Sequence, residues 1–182
     1  MNAPIVAGVA FGILILTSGD QAGEMANLAA SLVFASLLPL ASIYYLWKRR
    51  VISDFYAMKR ETRWMPFLAA IMSYLGGGVM LTALKAPAMV TALMLCYLVN
   101  TAVMMLISTR WKISIHESGI TGPSTVLIYA LGLPGWLLML CAIPVGWARV
   151  TLKAHSVGQV LAGALLTIAL TFVEVPVFVS LL

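Results

Sequence analysis

Apolar residues run through this chain in long blocks, broken by short charged stretches or by proline and glycine. The runs between charges predict seven helices, at about 3–18, 27–47, 64–84, 87–109, 116–131, 134–150 and 155–181. Runs this long and uniformly apolar suit lipid, where a helix satisfies its own backbone polar groups. None alternates polar and apolar positions as a barrel strand does. The first, fifth and sixth runs are short and are expected to be tilted, partial or kinked. Pro123, Pro134 and Pro144 fall in or beside the last two of these, and each proline removes a backbone hydrogen bond. The first run has neither a basic stretch before it nor a small-residue cleavage site, so it reads as a retained span. The expected architecture is all-α, a polytopic transmembrane helix bundle of six or seven spans. It forms one domain over residues 1–182, with an extra N-terminal span (about 3–18) ahead of a motif-bearing core (about 48–165).

Composition excludes the main alternatives. Hydrophobic residues make up 62% of the 182 and charged residues 9%, against about a quarter charged in soluble domains. Such a chain is neither an ordinary soluble core nor a disordered segment. Charge then adds a topology. Of eleven Lys and Arg, ten fall near 48–63, 110–115 and 149–155, and only Lys85 stands apart. If all seven runs cross, those three loops share one side, and Trp47, Trp64, Trp111 and Trp147 border them as an interfacial aromatic belt would. Asp20, Glu24, Lys85 and Glu174 fall toward the other face. By the positive-inside rule the basic face is cytoplasmic. Cys96 and Cys141 lie within apolar runs and read as small buried hydrophobes, with no disulfide framework and no metal-ligand spacing.

The candidate chemistry sits on the basic face. The two histidines of the chain, His116 and His155, each lie near basic residues. Ionisable groups in or beside membrane spans are costly and usually mark function; the plain alternative is helix packing or interface anchoring. His155 and Gln159 are four apart, hence on one face of the last helix. A Gln159 carbonyl accepting from one ring nitrogen would fix the tautomer and free the other nitrogen for attack. Arg149 carries the planar fork that clamps phosphate at two points. In the earlier cluster, Ser114-x-x-Glu117 reads as a capping box opening a helix. A helix N-terminus favours an anion beside it, and His116 in that first turn is placed to donate a proton to a departing oxygen.

These residues resemble the type 2 phosphatidic acid phosphatase superfamily of membrane lipid phosphate phosphatases. The family's middle motif, Pro-Ser-Gly-His, is matched at Ser and His by Ile113-Ser114-Ile115-His116. Its last motif, Ser-Arg-x5-His-x3-Asp, is matched in Arg149, His155 and their spacing; Ala148 and Gln159 stand where the family has Ser and Asp. Val160-Leu-Ala-Gly163 resembles the family's continuation into its final helix. The first motif, Lys-x6-Arg-Pro, is not intact: Lys59, Arg60, Arg63 and Pro66 supply its residue types at other intervals. The likeness covers roughly residues 110–165.

The resemblance implies a metal-independent, cofactor-free lipid phosphate or diphosphate phosphatase. His155 would attack phosphorus and become a phosphohistidine, and His116 would protonate the leaving group. Arg149, Ser114, Lys112, Lys59 and Arg63 would hold the phosphoryl oxygens. Gln159 can orient His155 but cannot neutralise it as a carboxylate would. The implied partners are a lipid phosphate, of isoprenoid or phospholipid type, and membrane lipids; nucleic acid has no place in this reading. The rival is a non-catalytic protein of the same fold that binds or moves anionic lipids. Elsewhere, Gly76-Gly77-Gly78 reads as a close helix contact, with a lipid-tail groove as alternative. Asn100 reads as an interhelical hydrogen bond, and the eleven methionines as adaptable packing. Glu174, nineteen residues past His155 and so about 28 Å along a helix, is expected near the opposite interface.

Overall fold

The computed structural model describes residues 3–19, 23–53 and 62–182. Seven helices span them: α1 (Ala3–Thr17), α2 (Glu24–Lys48), α3 (Trp64–Ala83), α4 (Ala88–Ser108), α5 (Ile115–Leu131), α6 (Leu133–Thr151) and α7 (Val157–Leu181). The described residues contain no strand. Five helices, α2, α3, α4, α6 and α7, are long and apolar enough to cross a membrane. The other two are shorter, α1 with 15 residues and α5 with 17. Large apolar side chains such as Leu106, Leu165, Phe172 and Val173 lie exposed on the outer faces of α4 and α7, as lipid-facing surfaces of a bundle do.

Of the two short helices, α5 holds the centre and α1 packs one face against the core. α5 touches α1, α4, α6 and α7, and nearly every residue from Glu117 to Leu127 is buried. Three of its polar side chains are satisfied within the helix, because Thr121, Ser124 and Thr125 each donate to the carbonyl four residues back. α1 contributes Ala7, Ala10, Phe11, Leu14 and Ile15 to the main core, against Leu81, Leu93, Met94, Val126 and Val175. The Phe11 ring stacks on Tyr97 at 6.1 Å between centroids.

Two helices are irregular for identifiable reasons. α6 breaks between Met139 and Ala142, where Pro144 has no N–H to offer the Leu140 carbonyl. The prediction of a kinked sixth span holds there, whereas α5 runs unbroken through Pro123. α2 contains a π-helical turn, Val33–Leu37. It is fastened on both sides: Ser73 Oγ of α3 donates to the Phe34 carbonyl at 2.6 Å, and Ser36 Oγ donates to the Pro4 carbonyl at 2.7 Å. The triple glycine of α3 faces this turn. A Cβ at Gly77 would stand 2.7 Å from Phe34 Cβ and 2.9 Å from the Met94 side chain. Close packing, not a lipid groove, explains it.

Described residues of the basic loops meet at one end of the bundle. Ser114 N–H donates to the Gln159 carbonyl at 3.2 Å, joining the α4–α5 connection to α7, and Arg63 acts electrostatically on both histidines. Trp47, Trp64, Trp111 and Trp147 are all exposed at that end.

Candidate functional site

The α6–α7 connection folds back on itself. Lys153 adopts a left-handed conformation (φ 54°), so Ala154 N–H and His155 N–H both donate to the Arg149 carbonyl, at 3.0 and 3.2 Å. This is the 6→1 closure that ends many helices. It fixes His155 beside the end of α6 that carries Arg149.

α7 then starts with a capping box. Ser156 Oγ accepts from Gln159 N–H at 3.3 Å, and Gln159 Oε1 accepts from Ser156 N–H at 3.0 Å. The box expected at Ser114-x-x-Glu117 does not form: Ser114 is the N-cap residue of α5, but its side chain makes no cap hydrogen bond. Its environment explains the difference. Ser114 is fully buried beneath α7, where a Cβ at Gly163 would stand 2.5 Å from the Ser114 carbonyl oxygen. Glu117, 2% exposed, turns inward against α6, its Oε1 3.3 Å from a Cβ built at Gly146. Ser-x-x-Gln at 156–159 is as good a capping signal as Ser-x-x-Glu at 114–117, and it was open to reading in the sequence.

His155 is buried, and its Nδ1 lies 3.1 Å from the Lys112 carbonyl oxygen. A carbonyl only accepts, so Nδ1 carries the hydrogen and Nε2 keeps its lone pair. The orienting partner is therefore the main chain of the α4–α5 connection. Gln159, expected in that role, has its oxygen turned to Ser156 N–H, and its own side-chain hydrogen bond to the imidazole has less effect on the ring than the Lys112 carbonyl. Burial pushes the His155 pKa down to about 4; its hydrogen bond to Lys112 opposes this, and the charges of Arg63 and Lys112 reinforce it. The ring is neutral at pH 7.

Around it the structure gathers most of the predicted residues. His116, half-buried in the first turn of α5, lies within electrostatic reach of Arg149, His155 and Arg63. Arg63 is only 5% exposed; burial lowers its pKa, and its guanidinium stands 6.0 Å from the Phe67 ring centroid. Its Nε has no hydrogen-bond partner among the described residues. Ser114 is close in sequence and space, but its buried hydroxyl is likewise unpartnered among the described residues. Lys59 lies outside the described residues. No group of three or more His, Cys, Asp or Glu gathers as metal ligands among them.

A cavity of about 170 Å3 opens from this cluster into the bundle. Arg63 and His116 stand at one part of its wall, and Phe67, Ala70, Tyr74, Leu93 and Tyr97 form much of the rest. Further along the bundle Asn100 Nδ2 donates to Thr171 Oγ1 at 2.9 Å and to Glu174 Oε2 at 3.4 Å. The interhelical role expected of Asn100 is met. Glu174, far along α7 from His155, turns inward onto α4.

The chain matches none of the family models, curated proteins or solved structures with which it was compared.

Proposed function

We propose that this protein is an integral-membrane phosphatase acting on a lipid phosphate or diphosphate through a phosphohistidine, as a divergent member of the type 2 phosphatidic acid phosphatase superfamily. The observation that carries the reading is the neutral His155 ring, anchored through Nδ1 at Lys112 with Nε2 left nucleophilic, in a cluster with His116, Arg149 and Arg63. The adjoining apolar cavity supports a substrate with a hydrocarbon tail.

In this mechanism Nε2 of His155 attacks phosphorus, and the P–O bond to the lipid breaks as the N–P bond forms. His116, protonated in the substrate complex, gives its proton to the leaving oxygen. Water then attacks phosphorus, His116 takes its proton, and the N–P bond breaks to release phosphate. Arg149 and Arg63 meet the charge on the phosphoryl oxygens in a site of low water content, where fixed charges act most strongly. The Lys112 carbonyl keeps the tautomer correct but offers no negative charge to the phosphohistidine. Turnover is accordingly slow; in an analogous triad, loss of the carboxylate costs about 10⁴ in turnover. By the positive-inside rule this face is cytoplasmic.

The test is phosphate release by purified protein from a polyprenyl diphosphate or from phosphatidate, with chelator present. His155→Ala is expected to abolish it; full activity in that variant overturns the assignment. A second reading, non-catalytic binding or movement of anionic lipids, is favoured by the neutral partner of His155. Lipid binding without any phosphate release decides for it.

A further inference from the structure

We infer that the cavity beside Arg63 and His116 selects lipid phosphates with a single hydrocarbon chain over those with two. This rests on the proposed lipid phosphate chemistry and deepens it by naming the tail. The cavity is walled by five helices: Ala7 comes from α1, Ile43 from α2, Phe67 and Ala70 from α3, Met104 from α4 and Gly119 from α5. It therefore reaches in between the helices and is partly open rather than sealed. One part of the wall is cationic, through Arg63, whose buried Nε has no partner among the described residues, and His116 stands on the same wall. Most of the remainder is aliphatic or aromatic. That polarity suits an anionic head followed at once by hydrocarbon.

Size sets the number of chains. At about 170 Å3 the space is close to that of an apolar cavity of about 150 Å3 that takes up one benzene, so it holds on the order of six to eight carbons. That is one segment of one chain, the part nearest the phosphate. A phosphatidate divides into two chains within the glycerol unit, three carbons long, and its second chain has no room beside the first. Tyr74 and Tyr97, 5.4 Å apart between centroids, make part of the wall aromatic, and Tyr97 stacks in turn on Phe11. By its volume the cavity encloses the first carbons of the tail and not its whole length. Gly119, one turn from His116, and Ala70 keep the passage open by being small.

Binding of phosphonates to the unaltered protein in mixed micelles tests this, because a C–P bond is not hydrolysed. Farnesylphosphonate is expected to bind about tenfold or more tighter than the phosphonate analogue of dioleoyl phosphatidate, a ratio within reach of steric selection by a pocket. Ala70→Phe, which fills the passage, should bring the two affinities together. Equal affinities in the unaltered protein, or tighter binding of the two-chain lipid, overturn the inference whether or not the variant folds. A selectivity that persists at full strength in a folded Ala70→Phe protein also overturns it. Phosphate release from farnesyl phosphate is measured separately: its absence alongside retained chain selectivity rejects the hydrolytic reading and leaves the tail assignment standing.

Discussion

His155 Nδ1 is held by the main-chain carbonyl of Lys112, 3.1 Å away, across a separation of 43 residues. The anchor does not depend on what side chain residue 112 carries. Lys112→Ala should therefore keep His155 oriented while removing one positive charge from the site. Loss of a charge at a partly solvated position costs at most about 1 kcal/mol, or roughly fivefold. The expected result is a rise in KM of about that size with kcat nearly unchanged. A collapse of kcat to the His155→Ala level would mean that the carbonyl had moved.

Gln159→Glu keeps an oxygen for Ser156 N–H and adds a negative charge beside the imidazole. The His155 pKa, depressed by burial, should rise. The acidic limb of the pH–rate profile should shift to higher pH, and an unmoved limb would separate residue 159 from the chemistry.

Stability should show the same imidazole. His155 is ordinarily protonated below 6.5, but in the folded protein only below about 4. Between those values the unfolded chain binds a proton that the folded chain does not, so stability falls as pH drops through this window and is flat above it. Thermal unfolding in detergent should show a shallower acid decline for His155→Asn than for the wild type. Identical declines would contradict the buried neutral ring.

Gly163→Ala would drive a Cβ to 2.5 Å from the Ser114 carbonyl oxygen, a main-chain atom that cannot swing aside. Overpacking of this kind costs about 1–3 kcal/mol, and here it also pries α7 from the segment carrying Lys112. Lower thermal stability and lower phosphate release should appear together. A variant as stable as wild type would show that the contact yields freely.

Lys153 sits at φ 54°, where a glycine carries no Cβ penalty. Lys153→Gly is expected to stabilise the protein by about 0.5–1 kcal/mol, read as a higher unfolding temperature. Destabilisation instead would reveal an interaction of the lysine side chain that outweighs its backbone strain.

Much of this was legible beforehand because hydrocarbon is a demanding solvent. Runs such as 64–84 and 87–109 could only be helices, and the structure gives Trp64–Ala83 and Ala88–Ser108. The gathering of Arg63, His116, Arg149 and His155 at one end followed from counting crossings. What stayed hidden has a common cause. The Lys112 carbonyl that holds His155 belongs to the backbone, which has no residue-type signature. The competition between Ser114 and Ser156 for a capping box was decided by the burial of Ser114 under Gly163, a tertiary fact. The inward turn of Glu117, like the meeting of Glu174 with Asn100, needed the packing of α5 and α7 to be known. Nothing in Val33–Leu37 announced a π turn.

That turn gives α2 two phases. Each added residue rotates a helix by about 100°, so the wide turn at Val33–Leu37 offsets everything after it relative to what comes before. Downstream of the offset, Pro39, Leu40 and Ile43 face the cavity while Tyr44, Tyr45 and Trp47 face outward. Removing one residue from the turn would move each later side chain into the place of the one before it, so that Leu40 would take the position of Pro39, Ala41 that of Leu40 and the Tyr44 ring that of Ile43. A single surplus residue thus acts as the angular key that aligns one wall of the pocket with the other four.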